Sequence, residues 1–144
     1  MSNIEYYTSV EQATACLPLL ESLREFPSTE DLREQLDRQF ESGYKVAALL
    51  SGDTVAAVCG YRVSENLARG KHLQLEDLIT DPDLRSFGHG EALFDHMVDL
   101  AAELGCSSVA LISKMDRHDA SRFYFNQRMQ INAFHFSLEL YSDD

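Results

Sequence analysis

The chain has 144 residues, of which 44% are hydrophobic and 25% are charged. This length and composition are typical of one globular domain and argue against collagen, a coiled coil and a disordered chain. The formal net charge of −12 disfavours nucleic acid and anionic membrane surfaces as partners, because both are negatively charged. We therefore predict a single domain over residues 1–144.

The sequence also bears on location and on the state of its cysteines. It has no apolar run near the roughly 18 residues that a membrane helix needs. Residues 1–5 lack the basic flank and apolar stretch of a signal peptide, so we expect a cytoplasmic protein. The cysteines lie far apart in sequence, which favours reduced core residues over a disulfide framework or a metal site; they are Cys16, Cys59 and Cys106.

Hydrophobic periodicity predicts alternating strands and helices. In chain order these are a strand over 4–8, helices over 9–24 and 28–42, strands over 44–51, 54–63 and 72–80, a helix over 89–104, a strand over 108–113, a helix over 119–127 and a strand over 134–140. Ser9 and Gln12 form a capping box for the first helix, and Gly43 ends the second. Gly52 and Asp53 join two strands as a tight hairpin. The order predicts an α/β protein with a mixed sheet and helices on its faces.

The strongest chemical signal lies where the strand over 72–80 passes into the next helix, at residues 85–90. A Gly-x-Gly at a helix start presents unpaired amides at the positive end of the helix, which is a site for an anion such as a pyrophosphate. Gly88 and Gly90 would let oxygen atoms approach the main chain, and Arg85 can add charge-assisted hydrogen bonds. The alternative is that both glycines only permit a tight turn. A dinucleotide-binding fingerprint needs a third glycine where Leu93 stands, and no Gly-Lys-Ser/Thr triplet of a Walker loop occurs.

Two segments resemble a known family. Residues 76–93, with a strand, a turn at Pro82 and the Arg-x-x-Gly-x-Gly loop, resemble the acetyl-CoA-binding motif of the GNAT N-acetyltransferase superfamily. Ala120 to Tyr124 resembles its second motif, in which a Phe-Tyr pair lies on the helix after the fifth strand. The resemblance implies a mostly antiparallel sheet of six to seven strands, about four helices, and a pair of strands that part at the cofactor site.

The resemblance further implies transfer of an acetyl group from acetyl-CoA to a primary amine of a small molecule or peptide, by direct attack on the thioester. The backbone of Leu78 and Thr80 would bind the pantetheine arm as an extra strand, and residues 85–90 would hold the pyrophosphate. The cofactor-binding residues that it implies are Leu78, Ile79, Thr80, Arg85, Ser86, Phe87, Gly88, His89, Gly90 and Glu91.

The resemblance also assigns an acid and leaves the base open. Tyr124 matches the tyrosine that protonates the departing CoA thiolate, although a tyrosine there can also be a packing residue. An alkylamine with a pKa near about 10.4 must lose a proton before it attacks, and Glu76 and Asp77 are the candidate acceptors. Consecutive strand residues point to opposite faces, so only one can face the pocket unless a bulge intervenes.

We take Glu76 as the catalytic carboxylate and assign both Glu76 and Asp77 to substrate binding. Diamine acetyltransferases of the superfamily have a similar Glu-Asp pair, which favours a cationic, polyamine-like acceptor. In one departure from the family pattern, Arg128 and Met129 stand where many members have glycine and an aromatic residue, so we expect a different turn after the last helix. We also expect no metal and a homodimer. The alternative function is a non-catalytic acyl-CoA-binding or partner-binding domain of the same fold.

Overall fold

The computed structural model describes residues 2–113 and 118–141, and the chain divides into two compact units, residues 1–111 and 112–144. The elements are β1 (Ser2–Tyr7), α1 (Leu17–Glu21), α2 (Thr29–Glu41), β2 (Lys45–Ser51), β3 (Thr54–Asn66), β4 (Gly70–Thr80), α3 (His89–Glu103), β5 (Ser108–Leu111) and α4 (His118–Asn126). Two 3₁₀ turns lie at Thr14–Cys16 and Pro82–Leu84. Among the described helices, none is long and apolar enough to cross a membrane.

The first unit is built on one sheet with the strand order β1-β2-β3-β4-β5. The first three neighbouring pairs are antiparallel, and β4 and β5 are parallel. This confirms the predicted class, a mixed and mostly antiparallel sheet with helices. Within the described residues the sheet has five strands, where six to seven were expected.

Helices cover both faces of the sheet. On one face, α1 and α2 pack on alternate residues of the central strands, in a cluster that includes Leu32, Leu36, Val46, Ala48 and Val58. Tyr7 of β1 packs against the same cluster, whereas the ring of the preceding Tyr6 contacts His96 of α3. Because adjacent strand residues point to opposite faces, α3 covers the other side.

The predicted helix over 9–24 is interrupted in the structure. It forms a turn, the 3₁₀ turn at Thr14–Cys16 and the five-residue α1. Pro18 has no N–H group, so it cannot donate the helical hydrogen bond to Thr14. In the same turn, the Thr14 hydroxyl donates to the carbonyls of Val10 and Glu11, at 3.2 and 2.9 Å. The predicted cap survives in part, since the Gln12 amide donates to Ser9 Oγ at 3.2 Å.

The predicted closing strand over 134–140 is wrong for this structure. The segment has no regular secondary structure, and its apolar side chains are 80 to 89% exposed; they are Phe134, Phe136, Leu138 and Leu140. Alternating apolar and polar residues favour a β-strand. A strand forms, however, only where a neighbouring strand pairs with its backbone hydrogen-bonding groups. Within the described residues, no strand pairs with this segment.

Candidate active site

The pairing of β4 with β5 stops partway along β4. β5 pairs with β4 only at His72–Leu75. β4 then continues through Glu76–Thr80, still paired with β3 on one side, while the described residues provide no strand on the other. Leu78 and Thr80 are two residues apart, so their backbone groups point to the same edge. An extended ligand can pair with such an open edge.

The open part of β4 leads into a loop that ends at the N-terminus of α3. Gly88 has a left-handed conformation, with φ of 78° and ψ of 14°, and provides no side-chain cap for the helix. The first helical hydrogen bond joins the Ala92 amide to the Gly88 carbonyl at 2.9 Å, so the amides of residues 89–91 precede it. A left-handed residue followed by helical residues makes consecutive amides converge in an anion-binding nest.

The space beside Gly88 is open. A Cβ placed on Gly88 would meet nothing within 4 Å. Ser86 also has a positive φ of 74°, which is rare outside glycine and common where function constrains a loop. The side chains of Arg85 and Glu91 are exposed, and the Phe87 ring is 71% exposed, with its centroid 6.1 Å from that of His89. The residues that the resemblance implied for the diphosphate therefore form one continuous turn.

A β-bulge lies at the start of the open part of β4. Gly60 of β3 pairs with Asp77, but the next residue, Tyr61, pairs with Leu75, so Glu76 is an extra residue. Gly60 and Tyr61 point to opposite faces, and therefore Asp77 and Leu75 do as well. The bulge therefore allows the side chains of Glu76 and Asp77 to lie on the same face of the sheet.

Asp77 lies on the α2 side of the sheet, where a buried tyrosine holds it. Tyr44 Oη donates a hydrogen bond to Asp77 Oδ2 at 2.6 Å, and Tyr44 is only 1% exposed. Burial, and then the nearby Asp77 carboxylate, raise the pKa of Tyr44 well above its ordinary value, so this tyrosine stays protonated. Burial also raises the pKa of Asp77, while the Tyr44 hydrogen bond and the charge of Arg24 oppose that rise.

Glu76 has a different partner on the same side. Its Oε2 lies 2.8 Å from Nε of Arg62. Arg62 is itself fixed, because its Nη1 donates to the Ser42 carbonyl at 2.7 Å and its guanidinium lies 5.7 Å from the centre of the Tyr44 ring. The two carboxylates are therefore neighbours with separate partners, one neutral and one charged.

Sequence reasoning missed three residues that shape this site: Tyr44, Gly60 and Arg62. A Cβ on Gly60 would lie 1.7 Å from Tyr44 Oη, so the tyrosine reaches Asp77 only because residue 60 is glycine. A glycine inside a strand pattern often marks a bulge or a close approach of another group, and Gly60 carried that signal. Tyr44 and Arg62 had no such signal, because their partners are distant in sequence.

Tyr124 belongs to the second unit. It is partly buried on α4, and its ring lies edge-on to that of Phe123 with the centroids 5.7 Å apart. After α4, Arg128 has a φ of 66°, its amide donates to the Phe125 carbonyl, and the Met129 amide donates to the Tyr124 carbonyl. This pair of bonds is a Schellman motif, with arginine at the position that glycine usually takes. The turn after α4 therefore has the geometry of a glycine-terminated helix, although the residue is arginine.

Comparisons with known proteins identify the family and the fold of the chain. The model of the Acetyltransferase (GNAT) family matches residues 13–128. The uncharacterized N-acetyltransferase YhdJ of Bacillus subtilis is 33% identical over 126 residues, which cover 86% of this chain and 88% of that protein.

Two solved structures illustrate the shared fold. A ribosomal-protein-alanine N-acetyltransferase from Brucella melitensis has a TM-score of 0.82 at 16% identity, over 97% of this chain and 100% of that chain. AAC(6')-Iy in complex with the bisubstrate analogue CoA-S-monomethyl-acetylneamine has a TM-score of 0.82 at 9% identity, over 99% of both chains. At these identities the likeness concerns the fold alone.

Proposed function

The chain belongs to the acetyltransferase (GNAT) family, and from this premise we propose that it transfers an acetyl group to a primary amine of a small molecule or peptide. The donor of the family is acetyl-CoA, which supplies the acetyl group as a thioester. One observation carries the proposal: the edge of β4 that is open over Glu76–Thr80 leads through the loop over 81–88 to the uncapped start of α3. A ligand with an extended arm and a diphosphate matches both features.

The cofactor-binding residues then have separate tasks. The backbone of Leu78 and Thr80 pairs with the pantetheine arm along the open edge, whereas Ile79 between them directs its backbone groups toward β3. The amides of residues 86–91 bind the diphosphate, and Arg85 adds a positive charge at its rim. Arg85 is exposed, so its contribution depends on the ligand bringing phosphate oxygens within reach.

The reacting groups follow the same scheme. Tyr124 gives a proton to the departing thiolate, which makes CoA a better leaving group. Glu76 and Asp77 face the acceptor amine, and a carboxylate of this pair accepts its proton. The negative net charge of the chain favours a cationic, polyamine-like acceptor, because the field of the whole protein concentrates cations.

The experiment that tests this function measures acetyl-CoA binding by calorimetry and CoA release by a thiol reagent, with spermidine, sisomicin, L-lysine and dialanine as acceptors. We expect wild-type protein to bind acetyl-CoA and to release CoA with at least one amine. Gly90→Val should abolish binding, because Gly90 lies in the first turn of α3 and a branched side chain there would cover the amides. Tyr124→Phe should still bind but release CoA at least about tenfold more slowly.

Ala92→Val is the matched control for the loop, because Ala92 is exposed on the same helix and its amide is already engaged in the first helical hydrogen bond. It should bind acetyl-CoA as the wild type does. Binding retained by Gly90→Val would contradict the diphosphate site, and an unchanged rate in Tyr124→Phe would remove its acid role. Binding without CoA release with any amine would favour a non-catalytic acyl-CoA-binding domain.

A further inference from the structure

The two neighbouring carboxylates at the bulge of β4 are not equivalent. Asp77 is partly buried and accepts from an uncharged, buried hydroxyl, whereas Glu76 is exposed and paired with a guanidinium. A carboxylate in an ion pair is stabilised in its charged form and is a weaker proton acceptor. A carboxylate that is more buried and has a neutral partner is a stronger proton acceptor.

We propose that Asp77, held in place by Tyr44, accepts the proton of the acceptor amine, and that Glu76 does not. This inference rests on the proposed function and revises the assignment of Glu76 from the sequence. Tyr44 is a positioning residue in this scheme, because it acts through Asp77 and touches no reacting atom. The ion pair with Arg62 makes Glu76 a weaker proton acceptor.

The first support is the geometry of the Asp77 carboxyl group. Tyr44 bonds Oδ2, and in the part of the chain that the structure describes no hydrogen bond engages Oδ1. Asp77 immediately precedes Leu78 and pairs with Gly60 at the point where the open edge of β4 begins. Oδ1 therefore remains available to accept a proton at the residue that immediately precedes Leu78 on the open edge.

The second support is that Tyr44 cannot move easily. Its amide donates to the Gln39 carbonyl at 3.0 Å, and the Phe40 ring packs edge-on against it with the centroids 5.5 Å apart. Its hydroxyl occupies the space that a Cβ at residue 60 would take. Because the donor is fixed, the carboxyl group of Asp77 is fixed as well, which is what a general base needs.

The burial of Asp77 and the groups around it set the pH range in which its carboxylate can accept a proton. Burial raises its pKa above the ordinary carboxyl value, and the Tyr44 hydrogen bond and Arg24 limit the rise. A base of raised pKa takes a proton from an ammonium group more readily. The titratable and charged side chains that act on Asp77 or on its partner Tyr44 are Arg24, Tyr44, Cys59, Arg62 and Glu76.

The proton balance of the step is complete. The acceptor ammonium loses one proton to Asp77 Oδ1, and its nitrogen then uses the freed electron pair to bond the acetyl carbon. The carbon–sulfur bond breaks and leaves its electron pair on sulfur. The departing sulfur is protonated, the nitrogen releases its second proton, and Asp77 returns the proton that it accepted to solvent.

The test is the pH dependence of kcat/KM, measured with the fastest of the four amines for the wild type, Asp77→Asn, Glu76→Gln and Tyr44→Phe. Asp77→Asn should lower kcat/KM by about a hundredfold and abolish its acidic limb. Tyr44→Phe should move this limb up by about half a pH unit, because loss of a hydrogen bond to the carboxylate raises the pKa of Asp77. Glu76→Gln should raise KM for the amine and keep the limb at its wild-type pH.

Glu65→Gln is the control, since Glu65 is an exposed carboxylate near the far end of β3. It should match the wild type, and calorimetry should give all variants the same affinity for acetyl-CoA. An acidic limb that survives in Asp77→Asn, or disappears in Glu76→Gln, overturns the inference. An unshifted limb in a folded Tyr44→Phe variant removes the role of Tyr44. A wild type that turns over no amine counts instead against the proposed function.

Discussion

Gly60 shows how one residue without a side chain organises the candidate site. It lies opposite Asp77 in the sheet, and the Tyr44 hydroxyl crosses directly over it. The same absence of a Cβ that weakens a strand makes room here for a buried polar pair. Tyr44, Asp77 and the bulge therefore depend jointly on glycine at this position.

We predict that Gly60→Ala lowers the free energy of unfolding by about 1–3 kcal/mol, the usual cost of overpacking a close-packed interior. The added methyl group would lie 1.7 Å from Tyr44 Oη and must displace the ring. Urea unfolding measures the loss. In a Tyr44→Ala background the same substitution should cost much less, because the clashing ring is gone. Equal costs in both backgrounds would contradict the packing argument.

At the scale of elements, α4 ends in a Schellman motif whose left-handed position is occupied by Arg128 and not by glycine. The φ of 66° at Arg128 allows both hydrogen bonds of the Schellman motif. A side chain in this conformation costs roughly 1–2 kcal/mol in backbone strain. The two hydrogen bonds that end α4 offset that cost.

We predict that Arg128→Gly raises the free energy of unfolding by up to about 1 kcal/mol, because relief of strain outweighs the added freedom of glycine in the unfolded chain. Thermal unfolding followed by circular dichroism measures the change. Gln127→Gly is the control, since residue 127 has no positive φ and should lose stability on the same change. Equal effects of the two substitutions would show that the Arg128 conformation carries no strain.

At the scale of the whole molecule, the segment over residues 134–140 exposes a row of large apolar side chains. A soluble monomer rarely exposes a contiguous row of large apolar side chains. The segment is complementary to itself: an antiparallel pair centred on Ser137 would place Phe136 opposite Leu138 of a second copy. On the other face of the same pair, His135 would lie opposite Glu139. We therefore expect two copies of the chain to pair through this segment.

The expected result is a dimer in light scattering, with Ser137→Cys forming an intermolecular disulfide in a Cys106→Ser background. Two residues facing each other across an antiparallel pair are about 4.5–5.5 Å apart at Cα, within the range that a disulfide spans. Glu139→Cys should not form the disulfide, because its counterpart in the second copy lies several residues away along the strand. A monomeric protein, or equal crosslinking of both variants, would contradict this pairing.

Local sequence determined much of this protein. The order of strands and helices follows from side-chain periodicity. The turn at residues 85–90 follows from its glycines, because glycine has greater conformational freedom than other residues. Both properties act over a few residues. The resemblance to the family rested on the same local patterns, and it identified the fold and acetyl-CoA correctly.

Only the tertiary structure decided which side chains meet. Asp77 and Tyr44 are 33 residues apart, and the bulge that sets their faces arises from how β3 pairs with β4. The exposed segment over 134–140 also shows that local sequence does not determine strand pairing. Its alternation predicts a strand, but a strand needs a neighbouring strand that this segment cannot supply. Periodicity is a property of one segment, whereas pairing, burial and the environment of a carboxylate depend on segments that are distant in the chain.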